Sequence, residues 1–389
     1  MNHIRAVAVA GALAGVIALP GCGAAGSVSP PVPAQGGADA QSAQRAPQYS
    51  RALPGACTVL VGELGCYVKV NLRFKPVADP NAATIPGFTP SDLRSAYGLP
   101  AADGAAGTGP LIAIVAAYDD PSAESDLAVY RSRFGLAPCT SANGCFTKLA
   151  GPGNSTHYNQ SWAEEMSLDL AMASAACPTC RLALVEAVNA NPTVLAKAVD
   201  DAAALNPAAI SNSYGIPDRS RNPSQDSHYN HPGIAIVAST GDDGSVQYPA
   251  SSAYVTAVGG TVLRRDSSPR GWHESVWYQS GAGCSASIPA PQWQTASTCT
   301  TRSVPDVSFD AALDPGIAVY DSNDGGWIVL GGTSAGSPFV SGLYAQANDF
   351  GSASAGAASI YAHLGSLNPV DALLLPNSTP GSPNGLGAF

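Results

Sequence analysis

Five short, mostly apolar runs, at residues 111–117, 182–186, 209–213, 234–239 and 255–259, set the terms on which this chain can fold. Each is too short for a buried helix and lacks the alternation of a half-exposed strand, so each reads as a strand covered on both faces. Between them, residues 122–134, 163–176 and 193–205 carry apolar side chains at helical spacing, with Pro192 placed to start the third helix. Strand, helix and strand in succession predict a doubly wound α/β domain with a mostly parallel sheet flanked by helices. Its active site belongs at the carboxyl ends of the strands. A chain of 389 residues, only 12% of them charged, is long enough for one sizeable core.

The formal charge is −10, with only 18 Lys and Arg. No basic face is available to neutralise phosphates, which argues against a nucleic-acid partner. The amino terminus carries His3 and Arg5, then an apolar run over residues 6–19, with no acidic residue before Asp39. That pattern predicts an export signal, too short to span a bilayer. It ends in Leu19-Pro20-Gly21-Cys22, which is similar to a bacterial lipobox. Lipidation of Cys22 would hold the mature protein on the cell-envelope surface, its one expected link to a membrane. Residues 1–22 are thus expected to be the signal, and residues 23–51, rich in Ala, Gly, Pro, Ser and Gln, a flexible tether. Residues 52–85 read as a short cysteine-bearing lead-in, and residues 86–389 as the folded domain, expected to act as a monomer.

Nine cysteines are present, and setting Cys22 aside leaves an even number in a chain addressed to an oxidising compartment. Their spacing suggests local pairs, Cys57 with Cys66, Cys139 with Cys145, Cys177 with Cys180, and Cys284 with Cys299. The Cys177-Pro-Thr-Cys180 motif has no second CxxC or His cluster beside it, so it is not read as a redox or zinc site.

Small residues crowd around Ser334 in Gly331-Gly332-Thr333-Ser334-Ala335-Gly336-Ser337-Pro338, between an apolar strand at 327–330 and a helical stretch at 339–348. That places a hydroxyl at a strand-to-helix turn, open to a substrate backbone, with its N–H at a helix amino end. A serine nucleophile needs a base. Five histidines remain once the signal is removed, at 157, 228, 231, 273 and 363, none in a recognisable triad context. Glu165 and Asp169 offer another base: four residues apart on a helix, they share one face, and sharing a proton relieves their repulsion. Asp242, in Ser239-Thr240-Gly241-Asp242-Asp243-Gly244, follows an apolar strand and could donate to a developing oxyanion if protonated.

In this order, Tyr118-Asp119-Asp120-Pro121, Glu165 and Asp169, Ser211-Asn212-Ser213-Tyr214-Gly215, Gly241-Asp242-x-Gly244, Pro305-Asp306-Val307-Ser308 and Gly332-Thr333-Ser334-x-x-x-Pro338 resemble the sedolisins. These are serine-carboxyl peptidases that share a fold with subtilisin but have a glutamate where it has histidine. The resemblance, over residues 88–340, implies that Ser334 attacks the scissile carbonyl, Glu165 takes and returns the proton, and Asp169 orients Glu165. It implies further that Asp242 and the Ser334 N–H form the oxyanion hole, and that Ser211, Asn212, Ser213, Tyr214 and Gly215 line the cleft through backbone pairing. Peptides and proteins are the implied substrates, cut best in acid, because a carboxylate base works far below the range of histidine.

Two features depart from the family. Only about 80 residues precede the expected domain start, where sedolisins usually carry a long folded propeptide. The family's calcium loop is expected to be cut short: residues 367–371 read Leu-Asn-Pro-Val-Asp and residues 375–381 hold no carboxylate, so no cofactor or metal is expected. Two other readings stay open, a peptide-binding lipoprotein without catalysis and a hydrolase that uses a histidine.

Overall fold

Each of the five apolar runs is a strand in the computed structural model, which describes residues 57, 62–100, 102–154, 156–295, 297, 299–347 and 356–362. The main sheet runs Trp272–Val276, Thr256–Arg265, Ala235–Ser239, Ala209–Asn212, Leu111–Ala117, Arg181–Ala187 and Phe146–Ala150, with Val307–Asp310 also paired to Thr256–Arg265. All these pairings are parallel except that of Trp272–Val276, which returns as an antiparallel hairpin. The architecture is therefore the mostly parallel, helix-flanked α/β fold expected from the strand-helix alternation.

The central strands are buried because both faces are covered. Ile112, Ile114, Leu182, Leu184 and Val237 have no exposed surface, and each contributes about 1.5–3 kcal/mol by leaving water. Helix Gln160–Ala176 begins one turn before the expected start because the Asn159 side chain accepts from the Trp162 N–H. It is buried along nearly all its length. Helix Gly336–Ala347 packs tightly against it at Gly342, where a Cβ would lie 2.5 Å from that of Ala176. Pro192 does open the third helix, Pro192–Ala203, with the Asn191 side chain accepting from Thr193 N–H.

The segment read as a lead-in supplies strands of its own. Gly65–Cys66 pairs antiparallel with Tyr214–Pro217, matching Gly65 to Gly215 and Cys66 to Tyr214. Lys69–Val70 pairs antiparallel with Gly326–Gly331. The same segment continues beside that strand, with Asn71 N–H donating to Val329 O and Val77 N–H to Trp327 O.

All four local cysteine pairs are disulfides. Among the described residues no helix is long and apolar enough to cross a membrane. The expected signal, Cys22, the tether, His363 and the shortened calcium loop lie outside the described residues.

Candidate active site

Strand Gly326–Gly331 ends at Gly332, whose φ of 97° is in the region that suits glycine. A Cβ there would meet Tyr67 O at 2.0 Å and Asp242 Oδ2 at 2.6 Å, so the turn must be bare for two other chain segments to approach. A single 3₁₀ turn, Thr333–Ala335, then carries Ser334 into helix Gly336–Ala347. Ser334 is fully buried, and its hydroxyl donates a long hydrogen bond, 3.5 Å, to Ser213 O.

Glu165 and Asp169 lie one turn apart on helix Gln160–Ala176, both buried. Burial, then the neighbouring Asp169 carboxylate, pushes the Glu165 carboxyl well above the usual carboxylate range, while the nearby Ser334 hydroxyl opposes the rise. Burial does the same to Asp169, opposed by a hydrogen bond from Ser213. That bond is short: Ser213 Oγ donates to Asp169 Oδ1 at 2.7 Å. Glu165 Oε2 accepts from two backbone groups, Tyr67 N–H at 2.9 Å and Val68 N–H at 2.8 Å.

Asp242 follows strand Ala235–Ser239. Its Oδ1 accepts from both the N–H and the hydroxyl of Thr333, each at 2.8 Å. Its Oδ2 is buried without a hydrogen bond, 4.0 Å from the Lys69 ammonium. Burial raises the carboxyl to about 6, with Lys69 pulling in the other direction. A proton on this carboxyl is therefore best accommodated on Oδ2, the oxygen with no donor to repel it.

The 211–215 segment divides by function within the fold. Ser211 Oγ pairs with Ser337 Oγ at 2.9 Å, and Asn212 Nδ2 donates to Val237 O at 3.0 Å, so these side chains tie their strand to helix Gly336–Ala347 and to the neighbouring strand. Tyr214 donates to Asn212 Oδ1 at 2.7 Å. Tyr214 and Gly215 are the residues whose backbone pairs with Gly65–Cys66.

Histidine is elsewhere. His228 and His231 contact Asp200 at 2.6 and 3.2 Å, and the His157 ring lies edge-on to Tyr118. Among the described residues no histidine is hydrogen-bonded to Ser334, Glu165 or Asp169. Nor do any three His, Cys, Asp or Glu side chains among them gather as a metal site.

Sequence reasoning missed Tyr67, Val68 and Lys69, which lie against the site, and Gln247, whose Oε1 accepts from the Tyr67 hydroxyl at 3.1 Å. No local signal marks them, because their partners are distant in the chain. It also missed a second carboxyl group on the same helix. Glu164, next to Glu165, is buried with Asp321 and Asp324 for neighbours and is pushed up to about 9.

Residues 150–364 match the model of the subtilase family. The chain is 31% identical over 303 residues to kumamolisin from Bacillus sp. (strain MN-32), covering 67% of this chain and 52% of kumamolisin. It is 39% identical over 136 residues to sedolisin from Pseudomonas sp. (strain 101), covering 31% of this chain and 23% of that one. The chain thus spans about half the length of the kumamolisin it matches. The structure of Pseudomonas sedolisin complexed with two molecules of pseudo-iodotyrostatin superposes with a TM-score of 0.64 at 25% identity, covering 79% of this chain and 93% of that one.

Proposed function

The chain belongs to the subtilase family, and to its sedolisin-type members, and on that premise we propose that it is an exported serine-carboxyl endopeptidase acting at acid pH. The observation that carries this reading is the convergence of Ser334, Asp242 and the helix-borne pair Glu165 and Asp169, from three separate parts of the fold, in one buried cluster without histidine.

In the proposed mechanism Ser334 Oγ attacks the peptide carbonyl while Glu165 takes its proton. Asp169, held by the Ser213 hydroxyl, fixes the rotamer of Glu165 and shares its proton load. The negative charge on the carbonyl oxygen is met by the Ser334 N–H and by a proton on Asp242 Oδ2. Glu165 then gives its proton to the leaving nitrogen, and a water repeats the sequence to free the acyl group. Asp242 loses its proton as pH rises through about 6, so the oxyanion loses its donor and the rate falls towards neutrality. Peptides and proteins are the substrates of this reading. Cys22 would anchor a monomeric enzyme to the envelope surface.

The test is digestion of a denatured protein at pH 3–7 beside the Ser334→Ala variant. Cleavage in acid, lost in the variant, supports the reading. Equal, near-zero cleavage by both would favour a peptide-binding protein, and neutral activity abolished by His231→Ala would favour a histidine hydrolase.

A further inference from the structure

Between two bonds to the same strand, the chain leaves the sheet and forms an exposed loop that the core does not use. Asn71 N–H donates to Val329 O at 2.8 Å and Val77 N–H to Trp327 O at 2.9 Å. Over that interval strand Gly326–Gly331 advances by the single residue Ile328, whereas residues 72–76 must all pass on the other side. The surplus residues, Leu72-Arg73-Phe74-Lys75-Pro76, are pushed out of the ladder, and every one is exposed. Pro76 has no N–H with which to rejoin it. The base of the loop is firm. Asn71 is buried, its side chain donates to Leu313 O, and its Oδ1 accepts from Arg73 N–H at 3.0 Å. Its carbonyl oxygen accepts from Phe74 N–H at 3.3 Å. The loop is thus a preformed projection, with little ordering entropy left to lose on docking.

What the loop carries into solvent narrows what it can meet. Leu72 is 47% and Phe74 42% exposed, and each is followed by an exposed cation, Arg73 and Lys75. Val276 and Tyr278 are exposed too, but no Lys or Arg lies between or beside them. Apolar and cationic side chains alternating on one turn match a surface that offers hydrocarbon beneath fixed negative charge, which is the interface of an anionic bilayer. An acidic polymer answers only the cations. The chain as a whole carries −10, so such a surface repels most of the molecule and admits it where a cationic loop is presented first.

We propose that residues 72–76 are a membrane-docking loop that seats the domain on an anionic lipid surface, Leu72 and Phe74 entering the headgroup boundary while Arg73 and Lys75 pair with lipid phosphates. The inference is independent of the peptidase reading. Lipidation of Cys22, upstream in the same chain, would tether the protein to the envelope, and the loop then decides which face it turns to the bilayer.

The experiment measures partitioning of the full-length Cys22→Ser protein, which carries no acyl anchor, onto sedimenting vesicles of phosphatidylcholine alone and of phosphatidylcholine with one third phosphatidylglycerol. The expected result is binding to the mixed vesicles alone, weakened by added salt. Arg73→Gln/Lys75→Gln lowers the partition coefficient about thirtyfold, as two charges each worth about 1 kcal/mol beside an anionic bilayer require. Leu72→Ser/Phe74→Ser lowers it by at least about tenfold with no change in charge, while Val276→Ser/Tyr278→Ser leaves it as it was. Hydrogen exchange of the Cys22→Ser protein needs no change in the loop, and mixed vesicles should slow it at residues 72–75. Absence of binding to the mixed vesicles, binding that survives both loop variants, or slowed exchange only elsewhere overturns the docking loop. Loop-dependent binding to soluble polyglutamate without binding to vesicles assigns the loop to an acidic protein and likewise overturns the bilayer.

Discussion

Ser213 Oγ donates to Asp169 Oδ1 at 2.7 Å, while its own carbonyl oxygen accepts from Ser334 at 3.5 Å, so one residue touches both the proposed relay acid and the proposed nucleophile. The hydroxyl is the one donor opposing the upward push of burial on Asp169. Ser213→Ala therefore raises the Asp169 pKa further and leaves a buried oxygen without its bond. We expect kcat to fall by about tenfold or more, as an orphaned buried acceptor costs roughly 1–3 kcal/mol. The pH-rate profile should also move to higher pH, which a merely looser fold would not produce.

Asp242→Asn separates charge from geometry. The amide can accept from Thr333 through its oxygen and donate through Nδ2 at every pH. Partial activity is expected, without the fall centred near the Asp242 value of about 6. Asp242→Ala, which has no donor, should lose about 10²–10³-fold in kcat. A profile in Asp242→Asn that still falls near 6 would remove Asp242 from the acid dependence.

Several buried carboxyls away from the nucleophile predict a fold that is most stable in acid. Burial is the leading cause in each case, raising Glu164 to about 9, Asp321 and Glu186 to about 7, and Asp120 to about 6. A folded pKa above the unfolded value means that the folded state holds more protons. Its stabilising effect is complete below the unfolded range, near 4, and is lost as pH rises through the folded values. The Tm should drop between about pH 4 and 9. Glu164→Gln, which removes the largest shift, should flatten that drop without removing it.

Arg302 and Asp306 form an ion pair with no exposed surface, and Arg302 also donates to Val255 O at 3.1 Å. Arg302→Ala strands a buried carboxylate, and chemical denaturation should report a loss of about 3–5 kcal/mol. Replacing both residues by apolar side chains of similar volume should recover much of it.

The parts of the fold visible in the sequence are those specified by near neighbours. The apolar runs became central strands, and the crowd of small residues around Ser334 became a turn that two other segments can approach. Pro192 and the cysteine spacings were readable for the same reason. Distant pairings were not. Strands as short as Gly65–Cys66 and Lys69–Val70 have no period of their own and exist because Tyr214–Pro217 and Gly326–Gly331 offer them edges. Adjacent acids posed a second difficulty: Glu164 and Glu165 look equivalent in the chain, yet they point into different carboxyl groups. The start of helix Gln160–Ala176 was misplaced by one turn because Asn159 lies outside the apolar pattern used to find it.

That same helix carries Glu164 on one carboxyl group and Glu165 on the other, only a residue apart. On the proposed mechanism, a rod so wired would make acidity a shared control variable: the medium that supplies protons to the site would also keep its scaffold firm. Transfer to a neutral setting would then loosen the scaffold and disarm the proposed chemistry together, confining the proposed hydrolysis to sour surroundings without any added regulator.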